Sequence, residues 1–361
     1  MAGITKRADG RWQAQLQVNG IRKTVYGKTK AEVQEKLAVL HRQAAGGLPN
    51  PGKRTINDLF DHFLDTVRPT LKPRTVADYE KLAHRYIRPA IGTVRLSRLN
   101  PDHVQVLYRD LQAKGLERAP SQVHRLLHRV FHLAVLWRWL AENPCGRVLP
   151  PTYRAPRKAV WTPDELRAFL DGARTDRHFL LWLFLLTSGC RLGEALGLRW
   201  DDVDWQAESV VIRRNLQRID GAWVETTPKS AAGTRRVSLP KEGIEALRLQ
   251  RTRQAEARLC AGAAWVDCGL VFTGDGGQPL HPSAPQHALP RLCERLGLPR
   301  VTPHGLRHLH ASLLLASRLD IPLVSARLGH ATPSITMSIY AHALGNADRQ
   351  AAEALGRALA L

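Results

Sequence analysis

Cysteine is scarce in this 361-residue sequence and never occurs in a CxxC pair. The five scattered residues are Cys145, Cys190, Cys260, Cys268 and Cys293. An odd number without paired spacing argues against a disulfide framework and against a zinc ribbon, and it fits a reducing compartment.

Long apolar runs are also missing. The stretch FLLWLFLLT, residues 179–187, is far shorter than the ~20 apolar residues needed to span a bilayer, so we expect a buried helix there. The first residues contain no apolar run of the signal-peptide type. These absences predict a cytoplasmic protein without a membrane segment.

Acidic residues are far fewer than basic residues. The chain has 53 Lys and Arg against 32 Asp and Glu, which gives a net charge of +21. A chain with this much positive charge repels itself unless a polyanion binds it, and arginine, which dominates the basic set, suits phosphate oxygens. Nucleic acid is therefore the favoured partner, with a merely basic protein as the alternative.

Residues 1–48 are predicted to form a small β-sheet domain with one helix. DG and NG turns separate runs of alternating apolar residues, and the segment TKAEVQEKLAVLHRQ then repeats apolar residues at helical spacing after a threonine cap. Seven cations in this stretch favour a nucleic-acid surface over a solvated face: Lys6, Arg7, Arg11, Arg22, Lys23, Lys28 and Lys30.

A Gly- and Pro-rich linker precedes a second domain at 55–146, whose pattern is helical throughout. Its last helix turns an apolar stripe inward and leaves a basic face, which includes Arg125 and Arg129, outside. A Pro-rich connector at 149–158 leads to the largest domain, 159–361, which mixes long helices with a short sheet. We therefore expect a multi-domain, mainly α fold with small β elements.

The stretch HGLRHLH, residues 304–310, places three histidines and one arginine within seven residues. On a helix His304 and His308 share one face, which alone would suit zinc, but Arg307 on that face repels a divalent cation. No carboxylate lies nearby to offset it, so we expect no metal. Two interpretations of this segment remain: a basic helix, or an anion site in which His304 and Arg307 bind one phosphate.

Four other positions are unremarkable when each is taken alone. Arg191 follows a Ser-Gly break at the start of a helix, where backbone amides add to an anion-binding corner. Lys229 lies at an exposed turn between two strands, His330 lies at a helix–loop junction, and Tyr340 follows ten residues later. Taken alone, Lys229 is a solvated turn lysine, and Tyr340 is more often a packed core aromatic residue.

Taken in order, these residues resemble the active-site set of the tyrosine recombinases, the phage integrase family. The set is Arg191, Lys229, His304, Arg307, His330 and Tyr340, in the contexts TSGCRLGEALGLRW, HGLRHLHASLLL and LGHATPSITMSIYAH. The resemblance covers the whole chain. It implies an arm-binding-like domain at 1–48, a helical SAM-like core-binding domain at 55–146, and a catalytic domain at 159–361 that ends in a tail helix. The candidate DNA-binding residues are Lys6, Arg11, Arg22, Lys23, Arg125 and Arg129.

The resemblance also implies DNA cleavage through a 3′-phosphotyrosine. Tyr340 is the expected nucleophile, Arg191 and Arg307 are expected to hold the two non-bridging oxygens, and Lys229 is expected to protonate the leaving 5′-oxygen. His304 and His330 are expected to handle protons and further phosphate contacts.

Glu194, one turn after Arg191, is expected to position the site. The covalent link retains the energy of the phosphodiester, so neither ATP nor any other cofactor is expected. The segment TGDGGQ at 273–278 lacks the GK[ST] ending of a P-loop and is expected to be a turn. His308 and His310 are expected to be packing residues.

The favoured function is an integrase that integrates or excises a phage or another mobile element at double-stranded attachment sites. The alternatives are an Xer-like resolvase or transposon recombinase and, in a different class, a DNA-binding regulator that does not cut. The expected assembly is a tetramer on DNA, with accessory DNA-bending or directionality proteins as possible partners. In it the tail at 345–361 docks on a neighbouring protomer or else folds back onto its own domain.

Overall fold

A computed structural model describes residues 4–18, 21–45, 51–153, 160–227, 233–330, 332 and 337. The chain divides into two compact units, Met1–Ala155 and Pro156–Leu361. Helices dominate both units and the sheets are small, so the predicted fold class is confirmed.

The first unit begins with a three-stranded antiparallel sheet and one helix. These are β1 (Ile4–Lys6), β2 (Trp12–Val18), β3 (Ile21–Gly27) and α1 (Lys30–Ala45). β2 pairs with both neighbours. The Thr29 hydroxyl accepts a hydrogen bond from the Glu32 amide over 3.2 Å, which caps α1. Ala14 of the sheet and Val33 and Leu37 of the helix form a small buried core.

Residues 51–153 of the same unit are helical. The helices are α2 (Ile56–Val67), α3 (Pro73–Leu82), α4 (Arg88–Ile91), α5 (Pro101–Ala113) and α6 (Ala119–Leu136), with a π-turn at Ala83–Ile87. Thr55 and Asp58 form a capping box at the start of α2. The buried stripe of α6 includes Val123, Val130 and Phe131, as its apolar spacing predicts.

The second unit has seven α-helices and five short strands within its described residues. The helices are α7 (Pro163–Gly172), α8 (Phe179–Ser188), α9 (Leu192–Leu196), α10 (Lys241–Ala261), α11 (Ser283–Arg295), α12 (Pro303–Ala316) and α13 (Ile321–Leu328). α8 is buried along most of its length, as its uniformly apolar sequence predicts. It therefore forms the centre against which α10 and α12 pack.

The strands form two sheets, whereas a single short sheet was expected. β4 (Val203–Asp204), β5 (Ser209–Ile212) and β8 (Arg235–Ser238) form one antiparallel sheet, and β6 (Asn215–Ile219) and β7 (Ala222–Thr226) form a hairpin. Arg213 and Arg214 lie between β5 and β6. Both form ion pairs with the buried Asp202, Arg213 through Nε at 2.9 Å.

Three smaller features complete the description of the fold. Residues 273–278 form a turn, in which the Gly274 amide donates to the Gln278 carbonyl over 2.8 Å. All five cysteines are free thiols. No helix within the described ranges is long and apolar enough to cross a membrane.

Candidate active site

Arg191 is placed by a sharp reversal at the end of α8. Gly189 ends that helix in the left-handed conformation, with φ of 66°, and Arg191 then becomes the N-cap residue of α9. Its Nη1 donates to Glu194 Oε1 over 2.7 Å, and its amide donates to Glu194 Oε2 over 2.9 Å. About a third of the side chain remains exposed, at 37%, so the guanidinium can reach a ligand.

Glu194 lies between two arginines and is 2% exposed. Its Oε2 also accepts a hydrogen bond from Arg235 Nη2 over 3.0 Å. Burial alone would raise the pKa of this carboxyl, but the charges of Arg235 and Arg191 and their hydrogen bonds outweigh it, so the pKa is lowered. Glu194 is therefore an anion at neutral pH and holds Arg191 in one orientation.

Arg307 lies in the first turns of α12 and is almost completely buried, at 2% exposed. Its Nη1 donates to the Gly189 carbonyl over 2.8 Å and its Nη2 donates to the Leu328 carbonyl over 2.7 Å. Burial, and then repulsion by Arg191, lower the pKa of Arg307 to about 9. The side chain remains cationic at neutral pH, and two carbonyls from different elements fix its direction.

Three consecutive backbone oxygens at the end of α13, those of residues 327–329, accept hydrogen bonds from three arginines. We call these oxygens the carbonyl row. The pairs are Arg235 Nε to Arg327 O at 2.7 Å, Arg307 Nη2 to Leu328 O at 2.7 Å, and Arg191 Nη2 to Gly329 O at 3.5 Å. Carbonyls in the last turn of a helix lack partners within the helix and carry the negative end of its dipole, so they suit guanidinium groups.

His330 follows the carbonyl row directly, at the predicted junction between helix and loop. Burial, and then the charges of Arg307 and Arg191, lower its pKa to about 4. The ring is therefore neutral at pH 7. His304 is exposed on α12, and its ring centroid lies 4.4 Å from that of His308, so the two share a face as predicted. No group of three possible metal ligands occurs among the residues that the structure describes.

His310 is buried below this face. Its Nδ1 donates to the Leu186 carbonyl over 2.6 Å, and its Nε2 accepts a hydrogen bond from Arg327 Nε over 3.2 Å. Both ring nitrogens are thus engaged within the protein, which is the packing role that the sequence suggested.

Two members of the predicted set, Lys229 and Tyr340, lie outside the described residues. The same holds for the tail at 345–361. The structure therefore brings together Arg191, Glu194, Arg307 and His330, with His304 on the helix that carries Arg307.

The predicted DNA-binding residues belong to the other unit. Lys6 is exposed on β1, Arg11 is exposed directly before β2, and Arg125 and Arg129 are exposed on α6. Arg129 also donates to the Tyr79 hydroxyl over 3.1 Å. The remaining two, Arg22 and Lys23, lie on β3, and their side chains fall outside the described part of the chain.

Two arginines of the site, Arg235 and Arg327, were not among the predicted residues. Arg235 and Arg236 are adjacent in β8, but the Arg235 side chain is 7% exposed and bonds Glu194, whereas that of Arg236 is 56% exposed. Because successive side chains of a strand point to opposite faces, the sequence predicts that one of these two arginines points inward, but it does not determine which one. Arg327 had no local signal that separates it from other helix arginines.

Comparison with known proteins gives consistent matches. Residues 160–346 match the phage integrase family, and residues 55–112 match the N-terminal SAM-like domain of phage integrases. A tyrosine recombinase XerC-like protein of Caldanaerobacter subterraneus subsp. tengcongensis is 29% identical to the chain, over 93% of this chain and 91% of that protein.

Two solved structures share the fold. One is the Tn1549 transposon integrase in complex with transposon right end DNA, with a TM-score of 0.72 and 20% identity over 84% of this chain and all of that one. The other is a lambda integrase tetramer bound to a Holliday junction, with a TM-score of 0.59 and 14% identity over 93% of this chain and 94% of that one.

Proposed function

This chain belongs to the phage integrase family and is a tyrosine recombinase, an integrase that breaks and rejoins DNA, and we propose that Arg191 and Arg307 bind the scissile phosphate. The observation that supports this assignment most directly is their convergence on the carbonyl row, with Glu194 holding Arg191. Burial, and then the repulsion between the two guanidiniums, lower the pKa of Arg307. A phosphate bound between them would relieve that repulsion.

The proposed reaction begins when the Tyr340 hydroxyl oxygen attacks the phosphorus. A phosphorus–oxygen bond to tyrosine forms as the bond to the 5′-oxygen breaks. His304 or His330 accepts the phenolic proton of Tyr340, and Lys229 gives the 5′-oxygen a proton. Arg191 and Arg307 stabilise the negative charge that builds up on the non-bridging oxygens in the transition state. Rejoining reverses these steps with a new 5′-hydroxyl, and the phosphotyrosine supplies the energy.

The two outer histidines have supporting roles in this proposal. His330 is neutral at pH 7, so its ring can donate one hydrogen bond and accept another next to the phosphate. His304, which is exposed on the same helix as Arg307, adds a contact from the DNA side.

The DNA partner and the assembly follow from the reaction. Exchange between two duplexes needs four strand cleavages, and the lambda integrase forms a tetramer on a Holliday junction. We propose a tetramer of this chain on attachment-site DNA, assisted by accessory proteins. In it the arm-binding domain is 1–48, the core-binding domain is 55–146 and the catalytic domain is 159–361 with its tail helix. Lys6, Arg11, Arg22 and Lys23 contact arm sites, whereas Arg125 and Arg129 contact the core site.

The nucleophile can be tested with a nicked suicide substrate, which traps the covalent complex. Tyr340→Phe should bind core-site DNA with unchanged affinity and form no protein–DNA adduct, because phenylalanine has no oxygen to attack. Tyr26→Phe is a matched control, since Tyr26 is exposed in the N-terminal sheet, and it should form the adduct normally.

The adduct is measured on denaturing gels and DNA binding by gel shift. An adduct formed by Tyr340→Phe would show that another residue is the nucleophile. Tight binding without any adduct from the wild-type chain would instead support a regulator that does not cut DNA.

A further inference from the structure

The carbonyl row is itself tethered by a side chain. The Nη2 of Arg327 donates to the carbonyls of Thr187 over 3.1 Å and Ser238 over 2.9 Å. Its Nε donates to His310 Nε2 over 3.2 Å. One guanidinium thereby joins the end of α13 to α8, to β8 and to α12.

His310 extends this tether to the end of α8. Its Nδ1 donates to the Leu186 carbonyl, which lies three residues before Gly189. The Gly189 carbonyl is one of the two that hold Arg307, and the other, at Leu328, belongs to the carbonyl row. The Arg327–His310 pair therefore links the two elements that aim Arg307.

We propose that Arg327 and His310 are positioning residues for strand cleavage, which lock the ends of α8 and α13 together so that two fixed carbonyls aim Arg307 at the scissile phosphate. This inference rests on the proposed function, because it takes the phosphate as the ligand of Arg307. In this role Arg327 acts through its Nε and Nη2, which donate to His310, Thr187 and Ser238 within the protein.

The geometry requires a guanidinium. Its planar fork donates in several fixed directions at once, whereas a lysine ammonium is a compact charge on a flexible stem. Arg327→Lys would keep the charge, but its single ammonium nitrogen could not bond the carbonyls of Thr187 and Ser238, as Nη2 does, and also His310 Nε2, as Nε does. The substitution therefore tests position at constant charge.

The first measurement separates DNA binding from cleavage in the full chain. Arg327→Lys should bind core-site DNA as the wild type does and form the covalent adduct roughly 10- to 100-fold more slowly, which is the usual effect of a misplaced reacting group. Arg258→Lys is the matched control: Arg258 is exposed on α10, 3.2 Å from Asp267, and its substitution should leave both values unchanged. An unchanged cleavage rate in Arg327→Lys would overturn the proposal.

The second measurement distinguishes positioning from general loss of structure. A methylphosphonate at the scissile position removes the negative charge that Arg191 and Arg307 would neutralise. The aim of Arg307 then matters less, so the ratio of wild-type to Arg327→Lys cleavage rates should fall well below its value on ordinary DNA. An equal ratio on both substrates would assign Arg327 a purely structural role and contradict the proposal.

His310→Asn is the second variant. Asparagine can still donate towards the Leu186 carbonyl, but its short side chain offers Arg327 no acceptor, so it should reproduce the cleavage defect. His287→Asn, at an exposed position on α11, should not.

Hydrogen exchange of the chain without DNA tests the tether independently of any reaction. Peptides that cover 186–190 and 326–330 should exchange faster in Arg327→Lys and in His310→Asn than in Arg258→Lys. Equal rates would overturn the inference even if the wild type cleaves DNA. Absence of cleavage by the wild type, with faster exchange in the variants, would reject the proposed function and leave the tether standing.

Discussion

The His310 ring is surrounded by cations at the residue scale. Burial lowers its pKa to about 4, the hydrogen bond with the Leu186 carbonyl opposes this shift, and the charges of Arg327, Arg307 and Arg235 add to it. The ring is thus neutral in the folded protein at neutral pH. Protonation would place a positive charge where Arg327 already donates a hydrogen bond.

This shift predicts an acid-sensitive stability. Between the unfolded pKa of 6.5 and the folded pKa of about 4, the unfolded chain binds more protons at His310, so folding stability falls as the pH drops through this window. His310 stabilises the fold fully above pH 6.5, and the loss by pH 4 amounts to at most about 3 kcal/mol.

Urea unfolding at pH 7 and at pH 4.5 measures this loss. The stability advantage of wild type over His310→Asn should shrink at the lower pH, because only the wild type carries the titrating group. His287→Asn should keep the wild-type pH dependence. An advantage that is the same at both pH values would show that His310 does not titrate in this window.

The turn between α8 and α9 is the decisive feature at the scale of elements. Gly189 is left-handed there, and a Cβ on it would lie 2.5 Å from Cδ2 of His310. The same residue supplies a carbonyl to Arg307. Backbone conformation, ring packing and the aim of Arg307 are therefore coupled at a single position.

Gly189→Ala should damage both stability and cleavage. The left-handed conformation costs alanine roughly 1–2 kcal/mol, and the clash with the His310 ring adds to this and shifts the carbonyl that holds Arg307. Gly297→Ala is a matched control, because Gly297 has a similar φ of 67° but a Cβ added there would have no atom within 4 Å.

Thermal unfolding and single-turnover adduct formation distinguish the two variants. Gly297→Ala should lose stability only, whereas Gly189→Ala should lose more stability and also cleave more slowly. Equal cleavage rates in both variants would show that the turn does not control Arg307.

The net charge of +21 governs behaviour at the scale of the whole molecule. Each phosphate contact by Lys or Arg releases counterions from DNA and steepens the salt dependence of binding. The two proposed DNA-contacting groups lie on the N-terminal sheet and on α6, so each should affect a different class of DNA site.

Neutralising the proposed DNA-contacting residues of the N-terminal sheet should selectively weaken the binding of arm-site DNA. The combined variant Lys6→Gln, Arg11→Gln, Arg22→Gln and Lys23→Gln should flatten the salt slope on arm-site DNA by up to about 4 × 0.9 and leave core-site cleavage intact. Arg125→Gln with Arg129→Gln is the reciprocal variant and should weaken core-site binding. Binding measured between low and moderate salt tests both. An unchanged arm-site slope would show that the N-terminal cations form only a solvated surface.

The local pattern of the sequence alone predicted several features of this protein. Helical spacing predicted the buried stripe of α6, uniform apolarity predicted the burial of α8, and the arginine in HGLRHLH pointed to an anion site. These features are readable because secondary structure and residue chemistry depend on neighbours within a few positions. The family resemblance added the order of the six residues, whose catalytic roles all stay predictions.

The tertiary structure alone decided how the arginines are organised. It showed that Arg235 rather than Arg236 points inward and that Arg213 and Arg214 both pair with the buried Asp202. It also showed that the carbonyl row binds three arginines from separate elements. The contact between Arg307 and Gly189 spans 118 positions, and that between Arg327 and Thr187 spans 140. No periodicity within one segment encodes such contacts, because they arise only when separate helices and strands pack around a common core.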